Sequence, residues 1–79
     1  MESVKKKDKV ILELINEEAI VLLDWLCRFN NTEKQGQFQD QAEERVLWDL
    51  EASLESVITE SFNSNYAEIL DKARGKIRD

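Results

Sequence analysis

The chain has 79 residues, one cysteine, no histidine, no proline and a net charge of −6. That length holds a single domain. The missing histidine removes the commonest general base and imidazole metal ligand. One cysteine excludes an intrachain disulfide and a thiolate zinc site.

Hydrophobic residues make up 42% of the chain and charged ones 35%, a balance that fits a folded domain rather than a disordered one. So short a chain buries little apolar area, and its usual staples, disulfides and metals, are missing. Good helix packing or oligomerisation is left to stabilise it. With two glycines and no proline, breakers are scarce and long helices are favoured.

Residues 1–8 are polar and expected to be frayed. Val10-Ile11-Leu12-Glu13-Leu14-Ile15 is aliphatic, rich in β-branched residues and without helical spacing, so 9–15 reads as a short strand. The rival reading makes it the first turns of the next helix. Asn16 is the candidate N-cap, with Glu17 and Glu18 in the first turn. A helix is predicted over 17–30. It is apolar nearly all round, with Asp24 and Arg28 spaced i,i+4 on what remains exposed, and so reads as a central helix needing cover on more than one side. Trp25 is assigned to the core on that ground. Cys27, inside the apolar stretch Val21–Phe29, reads as a small buried hydrophobe compatible with a reducing cytoplasm.

Residues 31–39 read as a polar loop broken at Gly36, with Phe38 as its docking residue. Asp40 and Glu43 form a capping-box-like start to a helix over 41–59. Val46, Leu47, Leu50, Leu54, Val57 and Ile58 share one face of it, and Trp48, roughly 100° from Leu47, falls at the margin of that stripe or outside it. A short turn over 60–63 precedes a third helix over 65–77, capped by Asn63 or Ser64, whose apolar face is Tyr66, Ile69, Leu70, Ala73 and Ile77.

The resulting fold class is mainly α: three helices with a short N-terminal strand in one domain, helix 1 central and the other two packed on it. A lone strand must pair its backbone somewhere. The simplest partner is the same strand of a second copy, giving a homodimer; the alternative is the sheet of another protein. Val10, Leu12 and Leu14 on one strand face, with Phe38 and Trp48, are the candidate partner-binding residues.

Other chemistries are weaker. The paired carboxylates include Glu68-x-x-Asp71, a spacing used by helical Mg²⁺-dependent nucleotide pyrophosphatases. The companion pair Glu43-Glu44 is followed by Val46 and Leu47 where another acid is needed. The simpler reading is a set of solvated helix faces, with no enzyme, no metal and no cofactor. No glycine loop cradles phosphate. DNA binding is the runner-up, as a small regulator or antitoxin-like protein. Lys5, Lys6, Lys7 and Lys9 form a basic patch, and the order strand, helix, helix is that of ribbon-helix-helix proteins. Against it, the net charge repels phosphates, and neither Val10, Leu12 and Leu14 on one strand face nor Ile11, Glu13 and Ile15 on the other can read base edges as Arg, Lys, Asn or Gln do. The second basic cluster, Lys72 to Arg78, complements a helix C-terminus.

The longest purely apolar run is Ala19–Leu23, against roughly 20 residues for a membrane span. The N-terminus has no signal-peptide core. A cytoplasmic location and no membrane association are expected.

The stretches Asn16-Glu-Glu-Ala-Ile-Val-Leu-Leu-Asp-Trp-Leu-Cys-Arg-Phe, Ala42-Glu-Glu-Arg-Val-Leu-Trp-Asp-Leu-Glu and Phe62-Asn-Ser-Asn-Tyr-Ala-Glu-Ile-Leu resemble a group of small bacterial helical proteins. The shared features are a strand-like start, a Glu-Glu-Ala helix opening and an aromatic before the last helix, over residues 10–73. The resemblance implies a bacterial, cytoplasmic protein and carries no activity or functional residue with it.

Overall fold

A computed structural model describes residues 1–32, 37–59 and 63–79. The expected break at Gly36 and most of the turn over 60–63 lie outside the described residues. Two strands, β1 (Glu2–Lys6) and β2 (Lys9–Glu13), precede three helices: α1 (Asn16–Asn30), α2 (Gln41–Val57) and α3 (Tyr66–Arg78). The coarse expectation holds, a mainly helical chain with a strand at its start.

The N-terminus departs from it. Residues 1–8 are not frayed: Glu2–Lys6 pairs antiparallel with Lys9–Glu13, with Val4 opposite Ile11, Ser3 opposite Leu12 and Lys5 opposite Val10. The strand at 9–13 therefore has a partner within its own chain, so its backbone does not need a second copy in order to be paired. Lys7-Asp8 makes the turn, and Lys7 takes a φ of 49°. Tight two-residue hairpin turns need such left-handed backbone. Leu14 and Ile15 fall beyond the strand.

The start of α1 is also shifted. Asn16 is the first helical residue, not the cap; Ile15 occupies the cap position. Glu18 does the capping work, its Oε1 accepting the Ile15 N–H at 3.0 Å. At the other end Asn31 and Thr32 donate from their side chains to the Cys27, Arg28 and Phe29 carbonyls, which satisfies acceptors the helix leaves open. Asp40 caps α2 as expected, its Oδ1 accepting the Ala42 N–H at 2.9 Å. Glu43 reaches back to the Gln39 N–H instead of completing the reciprocal box. Asn65, rather than Asn63 or Ser64, precedes α3.

Ala19, Ile20 and Leu23 of α1, Ile58 after α2, and Leu70 and Ala73 of α3 form the core, and Leu26 is buried as well. Both α2 and α3 pack on α1, which is central as predicted; no extended contact joins α2 to α3 or the hairpin to any helix. Asp24 ties α3 down. Its Oδ1 accepts from the Tyr66 hydroxyl at 3.1 Å, and its Oδ2 from Arg74 Nη2 at 3.1 Å and Arg28 Nε at 3.0 Å.

No residue of α2 is fully buried. The expected six-residue stripe splits. Leu47 and Leu54 are partly covered and Ile58 buried, while Val46, Leu50 and Val57 stay exposed. An apolar band that wide cannot all meet one neighbouring helix, and α1 is the helix with which α2 makes its extended contact among the described residues. Among the described residues no helix is long and apolar enough to cross a membrane.

Candidate interaction surface

The exposed apolar residues gather in three places. The first is the hairpin. Val10 is 65% exposed and Leu12 57%. They share one sheet face with Ser3 and Lys5, while Val4 and Ile11 pair on the other. Leu14, expected beside Val10 and Leu12, is instead half-buried against the core.

The second is the outer side of α1. Trp25, expected in the core, is 43% exposed and stacks on Phe29 at 4.7 Å between ring centroids. Val21, Leu22 and Trp25 line a groove of about 380 Å³ whose rim includes Met1, Glu18, Arg28 and Ile77. The chain covers its central helix on two sides and leaves the third open. The signal was in the sequence, as a helix apolar all round with only two others to cover it.

The third is α2. Phe38 meets Phe29 edge-on at 5.9 Å and borders a shallow apolar depression of about 430 Å³ with Ala42, Val46 and Leu47. Trp48 is 49% exposed. Helical periodicity sets it on the side of α2 away from Val46, Leu50 and Val57. The structure thus brings Phe38 to Val46, but unites neither with Val10, Leu12 or Trp48.

One polar cluster lies between α1 and α2. Cys27 Sγ donates to Glu51 Oε2 at 3.4 Å, and Asn30 Nδ2 donates to Glu51 Oε1 at 2.6 Å. The ligand atoms of Cys27, Glu51 and Glu55 lie within 4.8 Å of one another. Burial, with the neighbouring Glu51 carboxylate, pushes the Cys27 thiol up to about 11. The Asn30 amide lowers Glu51, and the hydrogen bond between Glu51 and Glu55 raises Glu55. A raised thiol is a weaker nucleophile, and the two hydrogen bonds to Glu51 join α1 to α2. Glu68 and Asp71, the pair with pyrophosphatase-like spacing, are both exposed and belong to no such group among the described residues.

Charge is unevenly spread. Lys5, Lys6, Lys7 and Lys9 crowd the hairpin tip, and none pairs with a carboxylate among the described residues. Compared with protein-family models, curated proteins and solved structures, the chain matches none of them.

Proposed function

We propose that the chain is a non-enzymatic interaction module of cytoplasmic type that acts as a homodimer. The observation that carries this reading is its surface. The chain exposes 6393 Å², whereas a compact folded protein of 9.2 kDa exposes about 4,900 Å². Its radius of gyration, 14.1 Å, also exceeds the roughly 11.6 Å of a compact domain of this length. The excess, about 1,500 Å² per chain, is what each protomer of an obligate dimer covers. Large apolar residues are exposed on the hairpin (Val4, Val10, Leu12), on α1 (Trp25) and on α2 (Val46, Trp48, Leu50, Val57). A core as small as this one leaves a monomer marginal, and association contributes the stability that packing does not.

The test is the mass of the full chain by light scattering over a dilution series from about 1 μM to 1 mM, the range in which weak to moderate dimers dissociate. A dimer with a measurable midpoint is expected. A monomer that unfolds cooperatively at every concentration refutes the reading. The basic hairpin tip favours a second reading, a small DNA-binding regulator, since free lysines meet phosphates without base specificity. A gel-shift at low salt decides it: no shift on any duplex eliminates it.

A further inference from the structure

Resting on the homodimer reading, we infer that the contact is the open edge of β2, paired antiparallel with β2 of a second copy about a two-fold axis at Ile11. The hairpin is poorly matched in charge. Its register sets Lys6 directly opposite Lys9 and Glu2 directly opposite Glu13. Like charges at directly opposed positions destabilise a strand pair. Both ends of this small sheet are therefore repulsive, and a two-stranded sheet with no cover is at best marginal in water.

The sequence of β2 is Lys9-Val10-Ile11-Leu12-Glu13. Reversed and set beside itself about Ile11, it places Lys9 opposite the partner's Glu13, Glu13 opposite the partner's Lys9, and Val10 opposite the partner's Leu12. The β2 member of each like-charged pair, Lys9 and Glu13, then gains an opposite neighbour. The apolar residues meet apolar residues.

Backbone geometry selects the same register. A two-residue turn closes on a hydrogen-bonded pair, here Lys6 and Lys9, and antiparallel bonding alternates from there. Lys9, Ile11 and Glu13 thus spend their N–H and C=O groups on β1. Val10 and Leu12 turn theirs to the open edge. Centring on Ile11 sets these outward residues against each other. Shifting the axis to Val10 would put Leu12 against the turn residue Asp8, and shifting it to Leu12 would put Val10 against Leu14, which lies beyond the strand and packs on the core. Among the described residues no helix makes an extended contact with β2, which leaves that edge clear. The outer edge of β1 is the poorer template: its outward residues are Ser3 and Lys5, and lysine on an edge discourages pairing.

The experiment uses two charge-reversed full-length chains, Lys9→Glu and Glu13→Lys. Each replaces both attractive end pairs of the proposed contact with repulsive ones. Alone, each should raise the dimer dissociation constant about tenfold or more. Mixed in equal amounts they become complementary again, and native mass spectrometry should show the heterodimer restored to near wild-type affinity. Misfolding cannot mimic this, because each reversal also turns a like-charge pair of the chain's own hairpin into an attractive one. In the wild-type dimer the Val10 and Leu12 amides should be protected from exchange, and exposed on dilution. A wild-type dimer whose affinity ignores both reversals, with the β1 edge or the helices as the contact, overturns the β2 pairing and leaves self-association standing. A wild-type chain that is monomeric throughout overturns both.

Discussion

Replacing Asp24 with alanine should loosen α3 from α1. The carboxylate accepts three side-chain hydrogen bonds and its side chain is 16% exposed. The bond from Arg28 is a surface i,i+4 pair, worth about 0.3–0.5 kcal/mol. Arg74 is partly exposed, so its bond is discounted for solvent to about 1 kcal/mol. The half-buried Tyr66 hydroxyl loses a charged acceptor, at about 1 kcal/mol. Alanine returns about 0.5 kcal/mol of helix propensity. The net loss is about 2 kcal/mol, or roughly 12 °C in Tm for a domain of this size. Thermal unfolding followed by circular dichroism at one fixed protein concentration reads it, since association itself moves Tm. Tyr66→Phe and the double variant complete a cycle whose coupling should be about 1 kcal/mol. A drop for Asp24→Ala smaller than about 3 °C, roughly half a kcal/mol, would show that apolar packing alone holds α3, and the reasoning about Asp24 would be wrong.

Other outcomes follow from single residues. At pH 8, Cys27 should react with iodoacetamide about a hundredfold more slowly than in the urea-unfolded chain, because raising a thiol from 9.0 to about 11 cuts its thiolate by that factor; comparable rates would refute the shift. Burial, with the Asp24 hydrogen bond, likewise pushes Tyr66 up to about 12. Both groups hold their protons more tightly when folded. The stability they contribute is therefore complete below pH 9 and lost as pH rises towards 12, and Cys27→Ser should remove the first part of that decline in a Tm–pH series. Lys7→Gly should relieve the left-handed turn, stabilising the hairpin by up to about 1 kcal/mol; slower amide exchange in β1 and β2 is the readout. A Cβ at Gly75 meets nothing within 4 Å, so Gly75→Ala should stabilise α3 by about 0.5–1 kcal/mol, and a lower urea midpoint would contradict that.

The helices were legible because each carries its own signal. The Asp40 cap and the i,i+4 spacing of Asp24 and Arg28 are local features, and local features survive into the structure. What failed depended on partners distant in sequence or on weak turn chemistry. Strand β1 was missed because Glu2-Ser3-Val4-Lys5-Lys6 has one aliphatic residue, and because Lys7-Asp8 lacks the glycine or asparagine that announces a two-residue turn. Asn16 looked like a cap, but Ile15 takes that position and Glu18 supplies the acceptor, a side chain reaching back three residues. Trp25 was assigned inward since an apolar helix surface does not reveal which side goes uncovered. The same limit applied to α2, where Val46 and Leu47 are neighbours in one stripe and only the approach of α1 separates them. Of the candidate contact residues, Val10, Leu12 and Trp48 are exposed, Phe38 is half-buried against Phe29 and Leu14 is half-buried against the core.

The placement of α2 bears on how the molecule comes apart. Lying between α1 and α3 in sequence, α2 packs mainly on α1 and has no fully buried residue of its own, while Ile58 just beyond it is buried in the core. Contacts between α1 and α3 such as Arg74 with Asp24 span 50 positions of chain and do not depend on α2 being in place. Regions with few buried contacts open first, at a free energy below that of global unfolding. Among the three helices the hierarchy is therefore inverted relative to the chain: the middle helix peels away on its Ile58 anchor while the outer two still grip each other.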